Sequence, residues 1–129
     1  MHSGGRANGS YFPPTIITGA PTDAQVCSNE AFAPLVVAFP FSRFEDAVAN
    51  VNDSHYGLQA GVFTNDLDHM WHAFNELEVG GIVINDVPTY RVDNMPYGGV
   101  KESGLGREGI RWSIEDMTEL QLMVMAQPA

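Results

Sequence analysis

Three groups of residues in this 129-residue chain have types and spacings that could do chemistry. Cys27 is the one thiol, and a thiol near a helix start becomes a nucleophile when a neighbouring base lowers its pKa. No histidine stands near it in the chain, and Ala24 and Val26 flank it, so it reads as a small packed side chain. His69 and His72 are three residues apart, near enough on a helix to share a metal. No third His, Cys or paired acid accompanies them at ligand spacing, so they read as an exposed helix face and no metal is expected. Gly104, Gly106 and Gly109 satisfy G-x-G-x-x-G and open a helix, where exposed N–H groups could meet a pyrophosphate. That fingerprint needs a strand before it and an acid about 20 residues after it, within a βαβ unit. A long loop precedes it here and the sequence stops at Ala129, so the glycines read as tight loop packing. Lys101, close to Gly98 and Gly99, lacks the G-K-[ST] of a phosphate loop.

The elements that must position these residues follow from periodicity. The β-branched run Thr15-Ile16-Ile17 predicts a short strand ended by Gly19 and Pro21, and Asp23 is placed to cap a short helix through Ser28. Leu35 to Phe39 is apolar without alternation, as in a strand covered on both faces, and Pro40 stops it. Ser42 and Glu45 form a capping box before a helix whose Phe44, Ala47, Val48 and Val51 make one stripe. Leu58 to Phe63 reads as a strand, and Asn65 as the cap of a second helix with Leu67, Met70, Trp71, Phe74 and Leu77 on one face. Ile82-Val83-Ile84 reads as a third buried strand, so strands and helices alternate from 35 to 85 and imply a parallel sheet with right-handed crossovers. Residues 86–106 hold two prolines and four glycines without periodicity, which marks a functional loop. Ile110, Ile114 and Met117 mark a last helix, and a terminal strand is expected at about 120–125. Residues 1–10, small and polar, read as a mobile entry.

Composition bounds the rest. Six Lys and Arg stand against 16 Asp and Glu, a formal net charge of −10, which repels phosphate backbones and anionic headgroups and argues against nucleic acid. One cysteine excludes an intramolecular disulfide and any multi-cysteine zinc site. No apolar run is long enough to span a membrane, and the first ten residues lack the apolar centre of a secretory signal, so a cytoplasmic protein is expected. The sequons at Asn8 and Asn52 then read as a turn and a helix end.

Three motifs, taken together, resemble one family. Glu30-Ala-Phe32-Ala-Pro34 before a strand, Ile84-Asn85-Asp86, and the run from Met95-Pro-Tyr97-Gly-Gly99 to Gly106-Arg107-Glu108 are similar, in order, to the C-terminal part of an NAD(P)-dependent aldehyde dehydrogenase. The likeness extends from about Tyr11 to Met125 and absorbs the glycine pattern into a P-F-G-G-x-K-x-S-G-x-G-R-E signature. It implies an α/β fold, a parallel three-layer sheet fragment of the catalytic domain over 11–129, with the terminal strand serving oligomerisation. In the family the glutamate of E-x-F-G-P holds the ribose hydroxyls of the nicotinamide nucleotide, and its phenylalanine packs beside them. The matching residues are Glu30 and Phe32, cofactor-binding positions by resemblance. Ala33 departs from the usual Gly, which bears on the backbone beside them. The aromatic of P-F-G-G lines the aldehyde tunnel and is Tyr97 here; Arg91, in the same loop, reads as solvated.

The resemblance also implies what lies elsewhere. The family carries its dinucleotide-binding domain, its E-L-G-G general base and its G-Q-x-C nucleophile upstream of this region. Ala24-Gln25-Val26-Cys27 and Glu76-Leu77-Glu78-Val79-Gly80-Gly81 imitate the two motifs at the wrong places, so no residue here is assigned catalysis. The parent chemistry would be thiolate attack on an aldehyde, hydride transfer to NAD or NADP and thioester hydrolysis to the carboxylic acid. The expectation is a chain inactive alone, binding no cofactor tightly, whose partners are further copies of itself and an upstream aldehyde dehydrogenase half. The rival reading is a non-catalytic interaction or oligomerisation module derived from the same family.

Overall fold

The computed structural model describes residues 4–127. They fall into two units, Met1–Ser54 and His55–Ala129. In the first, β1 (Thr15–Thr18) runs parallel to β2 (Leu35–Ala38), Thr15 opposite Leu35 and Thr18 opposite Ala38, with the one-turn helix α1 (Gln25–Ser28) between them. The β-branched residues of both strands suit this pleated pairing. Thr15 is buried at the start of β1 because its hydroxyl is used twice: Oγ1 accepts from the Gly5 N–H (2.9 Å) and donates to the Pro13 carbonyl (2.8 Å). Gly5 in the polar entry is therefore tied down at one point. After β2 comes α2 (Phe44–Asn52), which buries Val48 from the expected stripe.

The second unit is a βαβ unit with additions. β4 (Gln59–Val62) and β5 (Gly81–Ile84) are parallel, Gln59 opposite Gly81 and Val62 opposite Ile84, and α3 (Leu67–Glu76) joins them and packs on β5. A two-residue antiparallel ladder pairs β3 (Tyr56–Gly57) with β6 (Val100–Lys101), and α4 (Ile110–Met117) follows. The core is small: Val62 and Ala73, the latter fully buried. Among the described residues no helix is long and apolar enough to cross a membrane.

The α/β expectation with parallel strands holds, and several details differ. The run from 35 to 85 is not one ladder, because β2 pairs with β1 whereas β4 pairs with β5. β5 is half-buried to exposed rather than buried. Asp23 does not cap α1; Ala24 holds that position with no side-chain bond. The Ser42–Glu45 box does not form, since the extended cap residue of α2 is Arg43, one position later. Asp66, not Asn65, caps α3: its Oδ1 accepts from the N–H groups of Asp68 (2.8 Å) and His69 (3.3 Å). Leu120 to Met125 form no strand, because none of the described residues pairs with them, and their side chains are exposed.

Candidate functional site

Glu30 and Phe32 sit on the loop between α1 and β2 of the first unit. The Glu30 carboxylate is exposed and makes no hydrogen bond or ion pair with any described residue. Phe32 is 92% exposed, and its backbone is left-handed at φ 40°. That conformation crowds the Cβ of an L-residue against its own chain, and a bulky side chain rarely adopts it. The strain falls on Phe32 and not on Ala33, which has no positive φ, so the alanine is accommodated without distortion. Pro34 then accepts the Thr15 N–H (2.9 Å), which registers the loop at the head of β2.

Tyr97 lies in the second unit in a densely tied segment. Its N–H and C=O exchange hydrogen bonds with those of Glu108 (3.2 and 2.6 Å), an isolated antiparallel bridge. Arg91 places its guanidinium carbon 4.9 Å from the Tyr97 ring centre and an Nη2 2.6 Å from Glu108 Oε2. Arg91 is thus paired, not simply solvated. Arg107 Nη1 donates to the carbonyls of Gly99 (2.8 Å) and Gly106 (2.7 Å), and Ser103 Oγ accepts the Gly57 N–H (2.9 Å). Tyr97, Leu58, Ser103, Arg107 and Asp116 help line an open cavity of about 440 Å³.

The glycines explain their own pattern. Gly109, at φ 107°, is the extended-to-left-handed start of α4, and a Cβ there would strike the Met95 carbonyl and the Trp112 ring. A Cβ on Gly99 would overlap the Ser103 side chain. Only the two-residue antiparallel β6 precedes this turn and no βαβ unit contains it, so it is not a dinucleotide turn; packing requires glycine at Gly109, whereas Gly104, at φ 132°, has open space around it and serves the backbone conformation alone. Asn85, in the Ile84-Asn85-Asp86 motif, is a positioning residue: left-handed at φ 59°, it turns its Oδ1 to accept the Thr64 N–H (2.8 Å) and fastens the end of β5 to the loop after β4.

Cys27 is half-buried inside α1, and His69 and His72 are half-buried on α3 rather than exposed. Among the described residues no cluster of His, Cys, Asp or Glu could hold a metal.

The sequence model of the aldehyde dehydrogenase family matches residues 1–123. The chain belongs to the aldehyde dehydrogenase family. It is 48% identical, over 122 residues, to the 3-sulfolactaldehyde dehydrogenase of Priestia aryabhattai, covering 95% of this chain and 26% of that protein. A lactaldehyde dehydrogenase of Methanococcus maripaludis is 46% identical over the same shares. Among solved structures, aldehyde dehydrogenase 21 from Physcomitrella patens, in complex with the reaction product succinate, superposes with a TM-score of 0.91 at 44% identity, covering 96% of this chain and 26% of that one. Glyceraldehyde-3-phosphate dehydrogenase GapN from Methanocaldococcus jannaschii, complexed with NADP, gives 0.81 at 40% identity, covering 90% and 25%. This aldehyde dehydrogenase chain therefore spans about a quarter of the length of the relatives it matches. Both of its motif-bearing loops, the Glu30–Phe32 loop and the Tyr97–Glu108 segment, fall inside the matched residues.

Proposed function

We propose that this chain forms part of an NAD(P)-dependent aldehyde dehydrogenase, an enzyme that oxidises an aldehyde to a carboxylic acid, and supplies a ribose clamp and a wall of the substrate passage. The observation that carries the reading is the Glu30–Phe32 loop. Its carboxylate is uncommitted among the described residues and its ring is bare, an acceptor for two ribose hydroxyls beside an apolar face for a planar group. A nicotinamide nucleotide supplies the hydride acceptor when bound. Glu30 would accept hydrogen bonds from the ribose hydroxyls, Phe32 would limit where the nucleotide ring sits, and Tyr97 would border the aldehyde. The relative crystallised with NADP supports this class of cofactor, with NAD and NADP both compatible. A single half-buried thiol supports a reducing, cytoplasmic compartment.

A chimera tests the reading: this chain replaces its matching segment in the Priestia 3-sulfolactaldehyde dehydrogenase. Turnover is expected, and Glu30→Gln should raise the KM for the cofactor roughly tenfold, as loss of hydrogen bonds to a charged group implies. An unchanged cofactor KM would remove Glu30 from the site.

The C-terminal segment favours self-association as a second role. Leu120, Leu122, Met123, Val124 and Met125 are exposed and pair with no described strand, and no charge follows Glu119 to discourage a partner edge. Pairing between copies would complete the strand expected there. Light scattering over a dilution series should show dimers or larger species that dissociate when residues 120–129 are removed; a full chain that is monomeric at high micromolar concentration defeats the proposal.

A further inference from the structure

Arg91, Tyr97 and Glu108 close a triangle that the reading of Tyr97 as a tunnel residue does not by itself require. The turn in which Met95 N–H bonds the Val92 carbonyl (3.2 Å) folds the chain back, so that Arg91 reaches a ring six positions later. Glu108 meets both members, the ring's residue through the paired backbone bonds and the guanidinium through a 2.6 Å ion pair. The next residue back, Arg107, holds Gly99 on the same stretch.

An exposed ion pair taken singly contributes little. Here its effect is geometric: the cation is held over one ring face, and the backbone beneath that ring is held by the same glutamate. We propose that Arg91 is a positioning residue for Tyr97, with Glu108 as its anchor, and that the pair sets the shape of the cavity wall against which the aldehyde would rest. The inference rests on the functional reading for the word aldehyde alone; the triangle itself belongs to the chain. Glu108 takes one of the guanidinium N–H groups, and the role proposed for Arg91 is to orient the ring.

Two measurements separate these layers. In the full 129-residue chain, a proton over an aromatic face is shifted upfield, so the Arg91 δ-methylene resonances should lie upfield by NMR. They should return to ordinary positions in Tyr97→Leu and move partway in Glu108→Gln. In the active chimera, Arg91→Met should raise the aldehyde KM roughly two- to fivefold, the scale of a partly exposed cation–ring contact, with the cofactor KM unchanged. Arg91→Lys should recover part of the loss, since it keeps the charge but not the planar fork. Arg91 resonances indifferent to Tyr97→Leu would overturn the proposal. So would equal changes in aldehyde and cofactor KM, which would indicate general loosening. An inactive chimera with the ring shift intact would count against the functional reading and leave the triangle standing.

Discussion

Two of the loops that carry family motifs, at Glu30–Phe32 and at Tyr97–Glu108, are held in opposite ways. Around Tyr97, hydrogen bonds involving four side chains and a reciprocal backbone bridge fix the segment from several directions, and Gly98, Gly99 and Gly109 occupy points where a Cβ would collide. Around Glu30 nothing comparable exists: the carboxylate is uncommitted among the described residues, Phe32 stands in solvent, and one backbone bond from Thr15 to Pro34 registers the loop. The contrast separates a site that is built by its own chain from one that is only presented by it. The segment around Tyr97 needs no ligand to hold its shape, whereas the clamp proposed at Glu30 would gain its geometry from what it binds.

The comparison is tested most severely by activity. Incubated alone with NAD or NADP and a panel of aldehydes, the chain is expected to yield no reduced nicotinamide, because a clamp and a wall contain no nucleophile. Turnover abolished by Cys27→Ser would reverse that and give Cys27 the role that its sequence context denies. Next in size is a pair of glycine replacements. Gly109→Ala places a Cβ against Met95 and Trp112 at a positive φ and should cost about 3 kcal/mol, read as a lowered urea midpoint. Gly19→Ala, in the other unit, has the same kind of backbone with open space around it, so only the conformational penalty of about 1 kcal/mol remains. Equal midpoints for the two would mean that the contacts around Gly109 add nothing to the backbone penalty. Asp66→Ala removes two bonds at the start of α3 and should lower stability by about 1 kcal/mol, with reduced helical circular dichroism on heating. The smallest effect is expected at Glu30→Gln: with no partner to lose, its stability change should stay within about 0.5 kcal/mol.

Much of the framework is legible in the chain because it depends on local pattern. The strands at 15 and 35, the helices begun near 44, 67 and 110, and the parallel pairing across α3 all follow from β-branching, apolar spacing and crossover rules. Caps were displaced by one residue, since Asn65 and Asp66 are both good cap types and only the extended backbone at Asp66 decides between them. Periodicity also located the α3 stripe without telling what covers it. Leu67, Trp71 and Phe74 are exposed, and Ala73, a weak member of any hydrophobic pattern, is the one fully buried. The two-residue ladder between β3 and β6 has no period to read. Glu30, Phe32 and Tyr97 came from motif resemblance, and composition would have passed over all three. The Arg91–Glu108 pair was illegible for a plainer reason: residues 17 positions apart meet only after a loop has folded between them.

The exposed C-terminal segment has a chemical consequence of its own. Met117, Met123 and Met125 present their thioethers to solvent, at 84%, 79% and 87% exposure. Thioethers in that condition are the first to take up oxygen from peroxide, and each sulfoxide turns a flexible apolar side chain into a polar, chiral one. An oxidised tail would be a poorer edge for another strand and a better-solvated one. Under the proposed self-association, the redox state of Met123 and Met125 would set how readily this edge pairs, and methionine sulfoxide reductases would restore it.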